Sequence, residues 1–132
     1  MLGNFQQSNL RIEVEASETL IRDALLRTSQ LRRWLWPQRL SEGLPELLKP
    51  GVTFTSWLGP VTVQHQVDVA EDHCLRFLLS QGIDGFHEWS WGDGWVQSRL
   101  EGVTVLPLSL GQTLTLIRLR QFLATQKVGQ AA

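Results

Sequence analysis

Gly51-Val52-Thr53-Phe54-Thr55-Ser56-Trp57-Leu58-Gly59-Pro60-Val61-Thr62-Val63-Gln64-His65-Gln66-Val67-Asp68-Val69 is the stretch from which the fold is read. Val52, Phe54, Ser56 and Leu58 alternate with Thr53, Thr55 and Trp57; beyond Gly59-Pro60, the valines and His65 alternate with Thr62, Gln64, Gln66 and Asp68. Period-2 alternation puts one set of side chains on one face of a strand and the other set on the opposite face. Gly-Pro turns the chain. If the turn is a two-residue loop, Leu58 faces Val61, Phe54 faces His65 and Thr55 faces Gln64, so like falls on like on both faces.

Downstream the same period continues. A loop at Glu71-Asp72-His73 leads to Leu75, Phe77 and Leu79, which reach the valine face if the loop has an odd length. Asp93-Gly94 is a preferred two-residue hairpin turn. It predicts Trp91 opposite Val96, Trp89 opposite Ser98, His87 opposite Leu100, and a Glu88–Arg99 charge pair on the outer face. Val103 and Val105 are out of phase with Val96 and Leu100, which predicts a bulge near Gly102. Upstream, Leu10-Arg11-Ile12-Glu13-Val14-Glu15 alternates as a first strand. Ser17 is a suitable N-cap for a helix over 18–28, a second short helix over 29–35 ends before Pro37, and 38–50 is a loop or one loose helical turn at 45–48. After Pro107, with Ser109 as a cap, 110–126 reads as a helix with Leu110, Leu114 and Ile117 on one side and Leu116, Leu119 and Leu123 on the other. Residues 127–132 are expected to fray.

The order is strand, two short helices, five strands and a long helix, which is an α+β arrangement in one domain of 132 residues with its core over about 9–126. At 42% hydrophobic and 19% charged the chain can bury a core. A net charge of −1 with scattered arginines argues against a nucleic-acid partner, because such affinity rests on a concentrated basic face. The single Cys74 excludes an intrachain disulfide framework. No apolar run reaches membrane-spanning length and no signal pattern opens the chain, so a cytoplasmic protein is expected.

The same order resembles the helix-grip fold of the START-like (SRPBCC) superfamily, which includes polyketide cyclase/dehydrase-like proteins and relatives of the birch-pollen allergen. Ile12-Glu13-Val14-Glu15-Ala16-Ser17 is similar to that family's opening strand and cap, and Leu31-Arg32-Arg33-Trp34-Leu35-Trp36-Pro37 to the segment closing its second helix. Lys49-Pro50-Gly51-Val52-Thr53-Phe54 resembles its Pro-Gly lead into the second strand, and Val67-Asp68-Val69 with Cys74-Leu75-Arg76-Phe77 the paired strands that follow. The resemblance spans about residues 10–122. It implies a curved antiparallel sheet of about six strands wrapped around the C-terminal helix, with a cavity between them for an apolar small molecule. Carried over by position, the ligand-binding set is Phe54, His65, Phe77, Leu79, His87, Trp89, Trp91, Ser98, Leu114 and Ile117. The short chain, the compact loop over 82–85 and the compact final strand imply a cavity that is small or filled.

Six tryptophans and no tyrosine are the oddest feature of the composition. Trp89 and Trp91, on the inner face, serve either ligand stacking or the core. Trp34 and Trp36 wedge the short helix over the sheet or border the pocket. Trp57 and Trp95 fall on the outer face, where exposed indoles suit a protein partner or a homodimer. His65 and His87 are core histidines, polar anchors for a ligand, or proton carriers of a cyclase or dehydratase, with Ser98 positioning the substrate. No metal-ligand spacing connects them with His73 or Cys74, and no cofactor is implied. The leading expectation is binding of an apolar or aromatic molecule, lipid, isoprenoid or polyketide-like. The alternatives are a cyclase- or dehydratase-type enzyme and a protein-interaction module built on the outer tryptophans.

Overall fold

Seven strands form one antiparallel sheet in the order β1-β7-β6-β5-β4-β3-β2, and three helices pack on its concave side. The computed structural model describes residues 3–35 and 38–131, without the side chains of Leu58 and 127–131. Trp36 and Pro37, which the sequence placed at the end of the second helix, lie outside the described residues. The elements are β1 (Asn4–Glu13), α1 (Glu18–Leu26), α2 (Thr28–Leu35), β2 (Arg39–Leu40), β3 (Thr53–Leu58), β4 (Val61–Ala70), β5 (Cys74–Gln81), β6 (Asp84–Gly92), β7 (Trp95–Thr104) and α3 (Leu108–Ala131). This is the expected helix grip, with one strand more than expected.

Both hairpin registers follow from their turns. Phe54 lies opposite His65 and Leu58 opposite Val61; Trp91 lies opposite Val96 and His87 opposite Leu100. β1 begins several residues before Leu10 and pairs with β7 along its whole length, from Asn4 opposite Thr104 to Glu13 opposite Trp95. Ser17 caps α1 by accepting the Leu20 N–H at 3.2 Å, and Arg27, in extended geometry, separates α1 from α2.

Four local expectations are corrected. The bulge lies in β4 between Val67 and Val69, so Val69 pairs with Arg76 and leaves the inner face to Ala70. β7 runs without interruption past Gly102, and the inner face there is Gly102 and Thr104, both buried, while Val105 is exposed. Gly85 and Gly102 are register partners, and a Cβ on Gly85 would stand 1.9 Å from the Glu101 carbonyl oxygen. The contact is possible only without side chains. Residues 45–48 form no helical turn. They run along the α1–α2 joint, where the Thr28 N–H donates to the Glu46 carbonyl at 2.7 Å and the Leu48 N–H to the Leu26 carbonyl at 2.9 Å. Glu88 and Arg99 are opposite in register but bond elsewhere: Arg76 donates to Glu88 at 2.7 Å and Arg99 to Glu101 at 2.8 Å.

α3 starts at Leu108, before Ser109, and the Gly111 N–H donates to the Pro107 carbonyl at 3.2 Å. Its buried stripe is Leu108, Gln112, Leu116, Leu119, Phe122 and Leu123, while Leu110, Leu114 and Ile117 keep 57%, 47% and 37% of their surface exposed. The helix therefore presses the second of its two apolar sides onto the sheet and leaves the first at the edges of the contact. No helix among the described residues is long and apolar enough to cross a membrane.

Candidate functional site

A cavity of about 350 Å³ lies between the concave face of β3–β7, the α1–α2 pair and one flank of α3. That volume is at the small end of the range of ligand pockets, roughly 300–1,000 Å³. The flank that α3 contributes is Gly111, Leu114, Thr115 and Arg118, spaced i, i+3, i+4 and i+7 on one side of the helix. The sheet contributes Phe54, His65, Phe77, Leu79, His87, Trp89 and Leu100, because alternation turns each of them inward. Leu25, Leu31 and Trp34 close it from the short helices. The Trp34 indole N–H donates to the Ala24 carbonyl at 2.8 Å, so α1 and α2 are tied together over the cavity. Trp34 then meets the Trp89 ring edge to face at 6.0 Å.

Of the sequence-derived set, Phe54, His65, Phe77, Leu79, His87, Trp89 and Leu114 share this wall. Trp91, Ser98 and Ile117 do not. Trp91 is 1% exposed beneath the Asp93-Gly94 turn, and its indole N–H has no partner among the described residues. Ser98 is fully buried behind His87. Ile117 sits on the opposite flank of α3, in a shallow groove with Leu10 and Ile12. The helical rotation explains this last displacement: Ile117 follows Leu114 by three residues, but the cavity lies on the side reached through Gly111 and Arg118.

The two histidines are held differently. His87 Nε2 is 2.7 Å from Ser98 Oγ, and Gln112 Nε2 donates to the same oxygen at 3.0 Å and to the Ser98 carbonyl at 2.8 Å. Gln112 also donates to the Ser8 carbonyl at 3.2 Å and accepts from the Ser8 hydroxyl. The Ser98 oxygen accepts from Gln112 and can either donate to His87 Nε2 or accept from its N–H, so the contact holds the ring in place in either neutral tautomer. Nδ1 makes no hydrogen bond within the described residues, and His87 borders the cavity. It is a polar atom on a wall made mostly of leucines and aromatic rings. Burial, with the neighbouring charge of His65, lowers the His87 pKa from 6.5 to about 3.

His65 has no such chain. Its ring stacks on Phe54 at 4.6 Å and meets Phe77 edge to face at 5.3 Å, and its Nδ1 is buried without a hydrogen bond among the described residues. Burial lowers its pKa to about 4, opposed only in part by the Val63 main chain. Both imidazoles are therefore neutral near physiological pH. His73, in the β4–β5 loop, contacts the Glu18 carboxylate at 2.8 Å, remote from this wall. Burial, then Glu88, pushes the Cys74 thiol up, so it stays protonated and unreactive.

Gln112 and Arg118 are the polar and charged α3 residues of the cavity that matter most among those missing from the sequence-derived set. Gln112 falls in phase with Leu108, Leu116 and Leu119, and a polar residue in a buried stripe is the signal that marks it.

No protein family and no curated protein matches the sequence. Solved structures do share the fold. DynU16, from the dynemicin biosynthetic locus, superposes with a TM-score of 0.69 at 18% identity over 91% of this chain, which spans about half, 48%, of DynU16. Protein CV1439 from Chromobacterium violaceum matches with a TM-score of 0.69 at 13% identity, covering 89% of this chain and 96% of its own. The Aha1 dimer from Colwellia psychrerythraea matches with a TM-score of 0.65 at 15% identity, covering 89% and 96%. At these identities the likeness carries the helix-grip fold and nothing finer.

Proposed function

We propose that this helix-grip chain binds an apolar or aromatic small molecule, lipid, isoprenoid or polyketide-like, in the cavity between its sheet and α3. The observation that carries the reading is the wall itself: a cavity of about 350 Å³ lined by leucines and aromatic rings, with the His87 ring held on it by Ser98. A polar ring nitrogen held in this way orients a polar group of the ligand, while the rings and leucines supply affinity through burial at roughly 25 cal/mol per Å². The half-exposed Leu110 and Leu114 form the mouth with Pro107, Val61 and Leu35.

Titration with the neutral fluorophore N-phenyl-naphthylamine tests this. Saturable enhancement at one molecule per chain is expected, and Leu114→Glu, at an exposed position, should weaken it severalfold without unfolding the protein. Absence of any saturable signal at millimolar protein would remove the reading.

The cyclase or dehydratase alternative uses the same wall but needs a proton carrier near neutrality. His65 and His87, at about 4 and about 3, do not supply one. This favours binding over proton transfer. The interaction alternative keeps one residue. Trp57 is 37% exposed on the outer face, whereas Trp95 is half-buried under the Arg11 guanidinium at 4.0 Å. The Colwellia relative was solved as a dimer, and Trp57 is the indole that a second copy of this chain would cover. Light scattering that returns the monomer mass of 15.0 kDa at high concentration would dismiss the homodimer. The same reading places the protein in the cytoplasm, where the lone Cys74 thiol stays reduced.

A further inference from the structure

We infer that the cavity's ligand is an amphipathic anion, an apolar body carrying a carboxylate or comparable acidic head, and that Arg118 at the rim is the residue that holds the head. The inference rests on the proposed binding role and specifies its ligand class. Arg118 is the only charged residue on the cavity wall among the described residues. It stands one helical turn beyond Leu114 and two beyond Gly111, on the flank of α3 that borders the opening. It has no hydrogen bond or ion pair within the described residues, and α3 itself contains no Asp or Glu that could neutralise it.

The neighbouring arginines show what an engaged guanidinium looks like here. Arg32 donates to the Leu40 carbonyl at 2.9 Å and to the Ser41 carbonyl, and Arg33 lies over the Phe122 ring at 5.2 Å. Each of these serves the fold. Arg120, two residues on, points to the groove with Leu10 and Ile12 on the other side of the helix. Arg118 alone combines an unmatched charge with a place on the wall. A guanidinium offers a fork of donors that matches a carboxylate in two parallel bonds. The cavity mouth around it is apolar, so water competes less for that pair than on open surface.

The chemistry then has two addresses. His87 Nδ1, deep on the sheet, takes a neutral polar group, and Arg118, at the rim, takes the charge. A ligand that offers only one of them uses half of the site.

Calorimetric titration with naphthylacetate and with naphthylethanol, which share an aromatic body and differ in charge, tests this on the intact chain. In the wild type the acid should bind roughly tenfold more tightly than the alcohol, and the advantage should shrink as salt is raised. Arg118→Gln should bring the acid down to the alcohol's affinity and leave the alcohol unchanged, and Arg118→Lys should restore part of the difference. Equal affinities in the wild type, or an acid preference that survives Arg118→Gln, overturns the anchor and leaves the binding cavity standing. Failure of both compounds to bind refutes the cavity as a ligand site, and this inference with it.

Discussion

His65 and His87 sit on the same concave face, on strands that flank β5, and burial moves both in the same direction; what differs is the partner behind each ring. His87 backs onto a chain of polar groups that runs through Ser98 and Gln112 to Ser8, joining β6, β7, α3 and β1. His65 backs onto Phe54 and Phe77, and its Nδ1 is buried with no partner among the described residues, whereas the unbonded Nδ1 of His87 is not among the fully buried atoms. A buried polar group costs little when every donor and acceptor is matched and roughly 1–3 kcal/mol when one is not. The His87 end is thus an oriented, rigid address, and the His65 end is an apolar surface that happens to contain nitrogen.

The comparison breaks most visibly at Gln112. Replacing it with Leu strands the Ser8 hydroxyl and removes donors from two buried carbonyls, so urea denaturation should show a loss of about 3–4 kcal/mol. A loss under about 1 kcal/mol would mean that the chain of polar groups is ornamental.

Acid should come next. Both imidazoles titrate lower in the folded chain than in the unfolded one, so the unfolded state takes up protons first as pH falls. Their contribution to stability is complete above about pH 6.5. It declines below that by about 1.4 kcal/mol per pH unit for each ring, His65 levelling off near pH 4 and His87 near pH 3. His65→Phe should therefore flatten the stability profile over that upper window, leaving the variant about 3 kcal/mol better preserved than wild type near pH 4. A parallel profile for the two proteins would show that His65 is not shielded from water.

At neutral pH the same two positions separate more gently. His87→Leu should cost about 1–2 kcal/mol, since the buried Ser98 hydroxyl loses its His87 partner, whereas His65→Leu should cost under about 1 kcal/mol, since it also removes a buried, unmatched nitrogen. Equal costs would erase the distinction. The smallest change is expected on the convex side. Arg76→Ala, which breaks half-exposed pairs with Glu88 and Asp68, should cost no more than about 1 kcal/mol and less in high salt.

The hairpins were legible in the sequence because Gly59-Pro60 and Asp93-Gly94 each fix a register, and one register decides every inward side chain along two strands. β2 was not legible. Arg39 and Leu40 carry no strand pattern of their own and become a strand only by lying against Trp57 and Ser56. The misplaced bulge has a similar origin, because valine fits either face of a sheet: Val103 and Val69 were each given the wrong side by their apolar character alone. In the cavity, most of the chosen strand residues and Leu114 lie on the wall, while Trp91, Ser98 and Ile117 lie off it. Alternation selects a face without ambiguity, but a helix apolar on two sides does not say which side is pressed against the sheet, and so Ile117 was chosen where Gly111 and Arg118 belong.

The bare contact between Gly85 and Gly102 sets the terms on which this cavity can change size. Any side chain at either position would drive one strand off the other, so that seam admits a single residue type. Enlargement or shrinkage has to come instead from residues such as Leu79, Ile83 and Leu100, whose volumes can be traded while the seam keeps the two strands in register. A designer seeking a roomier variant would leave the glycines alone and prune the leucines.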